Sequence, residues 1–127
     1  MLGGKNVAAA LAVSDLGRAR TFYEGTLGLE PVQEDPGSII YRSGTSVVLV
    51  YTSEHAGTNR ATAAAWAVGD DFDAIVEGLR AKGVAFERFD DLPDVAREGV
   101  VHLMGDLKGV WLKDPDGNIL SLVSMSM

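Results

Sequence analysis

The chain has 127 residues, no cysteine, 46% hydrophobic and 23% charged residues, and a formal net charge of −7. That length is about one domain with a core of its own; the missing thiols exclude disulfides and thiolate chemistry, and eleven scattered lysines and arginines offer no phosphate-tracking surface. No apolar run approaches the ~20 residues that span a bilayer and residues 1–6 lack the apolar stretch of a signal peptide, so neither nucleic acid nor membrane is an expected partner and the expected location is cytoplasmic.

Residues 7–13 read as a first strand, with Ala9, Leu11 and Val13 on one face and Ala8, Ala10 and Ala12 on the other. Val13-Ser14-Asp15 then leads into a helical stripe of Leu16, Ala19, Phe22, Tyr23 and Leu27, stopped by Gly28. Strands are expected at 30–33, 38–42 and 46–53, separated by Asp35-Pro36-Gly37 and Ser43-Gly44. Val47, Leu49 and Tyr51 share one face of the last of these. A connector follows, Ser53-Glu54-His55-Ala56-Gly57-Thr58-Asn59, in which His55 reads as a solvated loop residue.

The strand at 62–68 repeats the pattern of the first, with Ala64, Trp66 and Val68 facing a second helix and Ala63, Ala65 and Ala67 opposite. That helix carries Phe72, Ile75, Val76 and Leu79 and stops at Gly83. Val13 recurs as Val68, Asp15 as Asp70 and Gly28 as Gly83, all at one constant offset, so the chain reads as two copies of one strand-helix-strands unit. The first module runs over about 5–55 and the second over about 60–127, within one domain covering 1–127. Further strands are expected at 85–89, 100–104, 108–113 and 119–124, and Val100, His102 and Met104 share a face. The polar, acidic stretch 90–99 between them has no clear period. It reads either as a solvated connection or as a flap in which Leu92 and Val95 touch a ligand.

The last two strands are joined by Asp114-Pro115-Asp116-Gly117-Asn118. Proline fixes φ at the first turn position, glycine supplies positive φ, and Asp114, Asp116 and Asn118 can bond back to nearby amides. This hairpin, with the doubled unit, resembles the vicinal oxygen chelate superfamily of glyoxalases, extradiol dioxygenases and bleomycin-resistance proteins. The resemblance covers essentially the whole chain. It implies an α+β fold of two tandem βαβββ modules forming a curved mixed sheet, a ligand cavity on the concave face away from the helices, and a homodimer.

The resemblance also says where metal ligands would stand. The two histidine positions, five residues before Val13 and before Val68, fall on Ala8 and Ala63; the two glutamate positions fall on Leu49 and Ser121. Methyl groups, a leucine and one hydroxyl offer a divalent cation no adequate donor set, so no metal or other cofactor is expected. The expected ligand-binding residues are Ala8, Ala10, Leu49, Tyr51, Ala63, Ala65, His102, Met104 and Ser121.

Two classes of function remain open. One is a metal-independent binding protein for a small apolar or aromatic molecule, similar in role to the bleomycin-resistance branch and favoured by the loss of all four ligand positions. The other is an enzyme of the lyase, isomerase or dioxygenase type. It would use a displaced metal site built from His55 and His102 with Glu54 or Glu98, or metal-free acid/base catalysis centred on His102 with Tyr41 or Tyr51 nearby. The chain has no Gly-x-Ser-x-Gly elbow and no phosphate-cradling glycine loop.

Overall fold

A computed structural model describes residues 1–89 and 96–126, without the side chains of 96–98. The first module consists of β1 (Ala9–Val13), α1 (Leu16–Arg20) continued by a π-helical turn (Thr21–Thr26), β2 (Glu30–Asp35), β3 (Ser38–Ser43) and β4 (Ser46–Thr52). Its strand order is β1-β4-β3-β2, with β1 and β4 parallel and the other pairs antiparallel. The second consists of β5 (Thr62–Ala67), a 3-10 turn (Gly69–Asp71), α2 (Phe72–Ala81), β6 (Phe86–Glu87), β7 (Ala96–Glu98), β8 (Val101–Met104), β9 (Leu107–Lys113) and β10 (Ile119–Val123). Here the order is β5-β10-β9-β8-β7, β5 and β10 are parallel, and β6 pairs with the other end of the β9 edge that holds β8. The two modules therefore repeat one topology, and their sheets meet where β1 lies in contact with β5.

The hydrophobic patterning is realised as one core. Leu11 and Val13 of β1, Val48 and Val50 of β4, and Ile39 and Tyr41 of β3 join Phe72, Val76 and Leu79 of α2 and Leu112, Leu120 and Leu122 of the second sheet in a single buried cluster. Each of these strands contributes every second residue, as alternation requires.

Four expectations about the elements need correction. The first strand starts at Ala9 rather than residue 7, and the strand expected at 85–89 shrinks to Phe86–Glu87. The stretch 90–99 contains strand β7, which pairs antiparallel with β8; strand pairing rescues a polar segment that has no period of its own. Leu92 and Val95, named as flap residues, lie outside the described residues. The first helix is not uniformly α: beyond Arg20 it widens, with Leu27 N–H bonding to Phe22 O at 2.9 Å, and it ends at Gly28, whose φ of 75° lets Leu29 N–H reach back to Tyr23 O at 2.9 Å. The wider turn carries Tyr23 into the core, where its ring stacks on Tyr41 at 6.2 Å and meets Phe22 edge-on at 5.0 Å.

The Asp-Pro-Asp-Gly-Asn turn joins the modules. Gly117, at φ 95°, closes the turn with its N–H on Asp114 O at 3.0 Å. The Asp114 carboxylate is buried and accepts four hydrogen bonds, from Asp116 N at 3.0 Å, Asn118 N at 2.8 Å, Asn118 Nδ2 at 2.8 Å and the Tyr23 hydroxyl at 2.7 Å. Asp114 thus bonds back to nearby amides as expected, whereas the Asp116 side chain, and the Asn118 side chain in addition to its bond to Asp114, reach across to the first module. Asn118 Nδ2 donates to Ala12 O at 2.7 Å, and Asp116 accepts from Ser14 Oγ at 2.5 Å, Ser14 N at 3.1 Å and Arg18 at 3.2 Å. Burial raises the pKa of the Tyr23 hydroxyl, and the neighbouring Asp114 carboxylate raises it further. Connector residue Gly57 presses on the same turn: at φ 73° it is left-handed, and a Cβ there would stand 1.8 Å from Asp116 O.

Candidate functional site

Strand register places the expected residues on the sheet faces that turn away from the helices. In the first sheet Ala10, Leu49, Ile40 and Gln33 line up across β1, β4, β3 and β2, and Ala12, Tyr51 and Ser38 form the next row. Ala10 is exposed and Leu49 half-buried, while Val47 and Tyr51 on the same face of β4 are 40% and 37% exposed. Ala8, also exposed, precedes β1. This face is apolar, shallow and open.

In the second sheet the corresponding row is Ala65, Ser121, Trp111 and Glu87, across β5, β10, β9 and β6. Alternation fails at one position. Between Ile119 and Leu120 the register with β5 shifts, Thr62 pairing with Ile119 and Ala64 with Leu120, so Ala63 is the extra residue of a bulge and packs against the core. A bulge is set by pairing geometry, which the alanine run could not reveal.

Sequence reasoning gave Trp111 no role, yet it shapes this face. Its indole starts on β9 and donates through Nε1 to Thr62 Oγ1 on β5 at 3.0 Å, which takes the ring across the intervening β10. Ser121, its neighbour on that face, is consequently only 3% exposed. The signal was available: a hairpin ladder pairs Trp111 with Ser121, and paired residues share a face.

His102 stands beside this ring, fully buried, with its centroid 4.7 Å from Trp111 in an edge-on arrangement and 6.2 Å from Phe89. Nε2 accepts the Phe89 N–H at 3.3 Å and Nδ1 faces Val100 O at 3.0 Å. A carbonyl only accepts, so Nδ1 carries the proton and the ring is the neutral Nδ1–H tautomer with both nitrogens engaged. Met104 lies half-buried on the same side, its Cε occupying the space that a side chain at Gly109 would need. The structure thus brings Ala65, Ser121, His102 and Met104 together around Trp111, and Ala10, Leu49 and Tyr51 together on the other sheet. A groove of about 600 Å³ opens between the starts of β1 and β4 and the strand β5; of the nine expected residues Ala65 alone lines it, with Val7, Ala9, Val47 and Ala67.

The remaining titratable candidates lie elsewhere. Tyr41 is buried in the core and donates to Glu24 Oε2 at 2.8 Å; burial, then this bond, raises its pKa. His55 is exposed in the connector beside Glu54, at 3.5 Å. The side chain of Glu98 is outside the description. Among the described residues no group of three histidines or carboxylates could hold a metal ion. At the four positions where the resemblance puts ligands, the only polar side-chain atom is the Ser121 hydroxyl, buried under the Trp111 ring. These residues do not fit a divalent cation.

Residues 6–122 match the model of the Glyoxalase/Bleomycin resistance protein/Dioxygenase superfamily, and the chain belongs to that superfamily. Its fold is similar to that of a bleomycin resistance determinant encoded on the transposon Tn5, with TM-score 0.73 and 21% identity over 97% of this chain and 99% of that one. It is also similar to a glyoxalase/bleomycin resistance protein/dioxygenase from Alicyclobacillus acidocaldarius, with TM-score 0.71 and 18% identity over 94% and 90% of the two chains. The fosfomycin resistance protein FosX from Mesorhizobium loti gives TM-score 0.69 and 18% identity over 100% and 96%. A search of curated proteins gives no match. Among the described residues no helix is long and apolar enough to cross a membrane.

Proposed function

We propose that the chain is a metal-independent member of this superfamily that binds a small apolar or aromatic molecule on the helix-averted sheet faces, as a homodimer in the cytoplasm. The observation that carries the reading is the chemistry of those faces. Ala10, Leu49 and Ile40 on one sheet and Ala65 and Trp111 on the other offer methyls, branched alkyl groups and an indole plane where a metal enzyme would need imidazoles and carboxylates. Two proteins of the same fold are named for resistance to bleomycin and to fosfomycin, both small molecules, which supports a small-molecule ligand. The enzymatic alternative finds less support, because both nitrogens of His102 are engaged and the ring is closed off from solvent.

What one chain leaves open supports the homodimer. The face carrying Val47 and Tyr51 and the edges of β2 and β7 have no partner strand among the described residues, and a second copy is the simplest cover for both. Titration with the neutral fluorophore Nile red and sedimentation of the same sample test the reading together. Saturable binding, weakened about tenfold by Ala10→Leu at unchanged melting temperature, and a mass twice that of one chain are expected. A monomer that takes up no fluorophore saturably would refute it.

A further inference from the structure

We propose a second binding site, on the opposite side of the second sheet from the faces above: a half-open apolar cavity at the seam of the two modules that takes one single-ring aromatic molecule. The cavity has a volume of about 160 Å³. Leu112, Leu120 and Leu122 form its floor from β9 and β10, Ile75 and Leu79 of α2 its roof, and the first module closes the seam with Leu27, Leu29 and Ser43. The Trp66 indole forms a wall and is held by donating Nε1–H to Ser43 Oγ at 2.9 Å.

Size and polarity select the occupant. The buried leucines of the floor face an unfilled, half-open space and lack packing partners on that side, so an apolar occupant would gain dispersion contacts there. Water is a poor tenant, since it needs two to four polar partners and, with the indole N–H already used, the lining side chains offer only the Ser43 hydroxyl. Leucine- and isoleucine-lined cavities of about 150 Å³ stay dry and take up benzene, which sets the scale as one ring. The Ser43 hydroxyl spends its oxygen on Trp66 and keeps its proton, so a ring bearing one hydrogen-bond acceptor, as a phenol does, fits better than a bare hydrocarbon. Nile red, with four fused rings, exceeds a space scaled to one ring, so the two sites are separable by probe.

Methyl NMR spectra of the full chain titrated with benzene and with phenol test the proposal. Saturable one-to-one shifts are expected at the methyls of Leu112, Leu120, Leu122 and Ile75, together with a melting temperature raised by about 5 °C at ten times Kd. Ile75→Trp, which fills the roof, should abolish them, and Ser43→Ala should lower the affinity for phenol several-fold more than that for benzene. Ala10→Leu should leave them unchanged, so failure of the sheet-face reading would not mimic failure here. The proposal is overturned by no saturable shifts, by shifts confined to Ala10, Ile40 and Ala65, or by a folded Ile75→Trp variant that still binds benzene. Should that variant not fold, the wild-type shift map decides alone. A phenol-to-benzene ratio unmoved by Ser43→Ala overturns the assignment of Ser43.

Discussion

Asn118→Ala isolates the joint between the modules. The side-chain amide makes two buried bonds, to Ala12 O at 2.7 Å and to the Asp114 carboxylate at 2.8 Å. The first is neutral and contributes about 1 kcal/mol; the second ends on a charge and contributes about 1.5–3 kcal/mol. Truncation also leaves the Ala12 carbonyl without this partner at the seam. The expected loss is therefore about 2–4 kcal/mol, or roughly 8–16 °C in melting temperature at about 4 °C per kcal/mol for a domain of this size. Thermal and urea unfolding followed by circular dichroism would measure it, and Arg60→Ala, exposed just ahead of β5, serves as a control that should change stability by less than about 0.5 kcal/mol. A double-mutant cycle with Tyr23→Phe should be non-additive, because the Tyr23 hydroxyl and the Asn118 amide share Asp114 Oδ2. A loss below about 1 kcal/mol, the size of a single neutral bond, or strict additivity would refute the claim that this turn is a clamp between modules.

Gly57→Ala should cost roughly 2–5 kcal/mol, since it combines a left-handed backbone with a methyl driven into Asp116 O, and chemical denaturation would read the loss. Alkaline pH should unfold the protein early. The pKa values of Tyr23 and Tyr41 are raised in the folded state, so the unfolded chain releases these protons first; the contribution of these two groups to stability is constant below pH ~10 and falls above it by up to about 1.4 kcal/mol per pH unit for each group. A pH series of urea melts would show a shallower decline for Tyr23→Phe. The two alanines should part company. Ala10→Leu adds carbons to open space and should leave the melting temperature nearly unchanged, whereas Ala63→Leu overfills a bulge packed on the core and should cost roughly 1–3 kcal/mol.

The modular architecture was legible because it is written locally. Period-two runs such as 46–52 and the stripe Phe72, Val76 and Leu79 state strand and helix within a few residues, and the recurrence of Val13, Asp15 and Gly28 as Val68, Asp70 and Gly83 states that the unit occurs twice. What escaped depends on partners far along the chain. Asn118 meets Ala12 and Asp116 meets Ser14 across most of the sequence, so a turn that reads as self-contained proves to be a joint. The bulge at Ala63 comes from the pairing of β5 with β10, and the path of Trp111 from a threonine two strands away. The seam cavity takes its walls from both modules, and no single stretch of sequence contains it.

Ligand binding that needs no metal is tested most directly by Nile red titration of chelator-treated protein, repeated after addition of zinc, manganese, nickel or iron, with the metal content of each sample fixed by elemental analysis. Equal dissociation constants with and without added metal, and no stoichiometric metal retained, are the predicted result. About one metal ion per chain that survives purification, is lost in His102→Ala and is needed for the fluorophore to bind would contradict it.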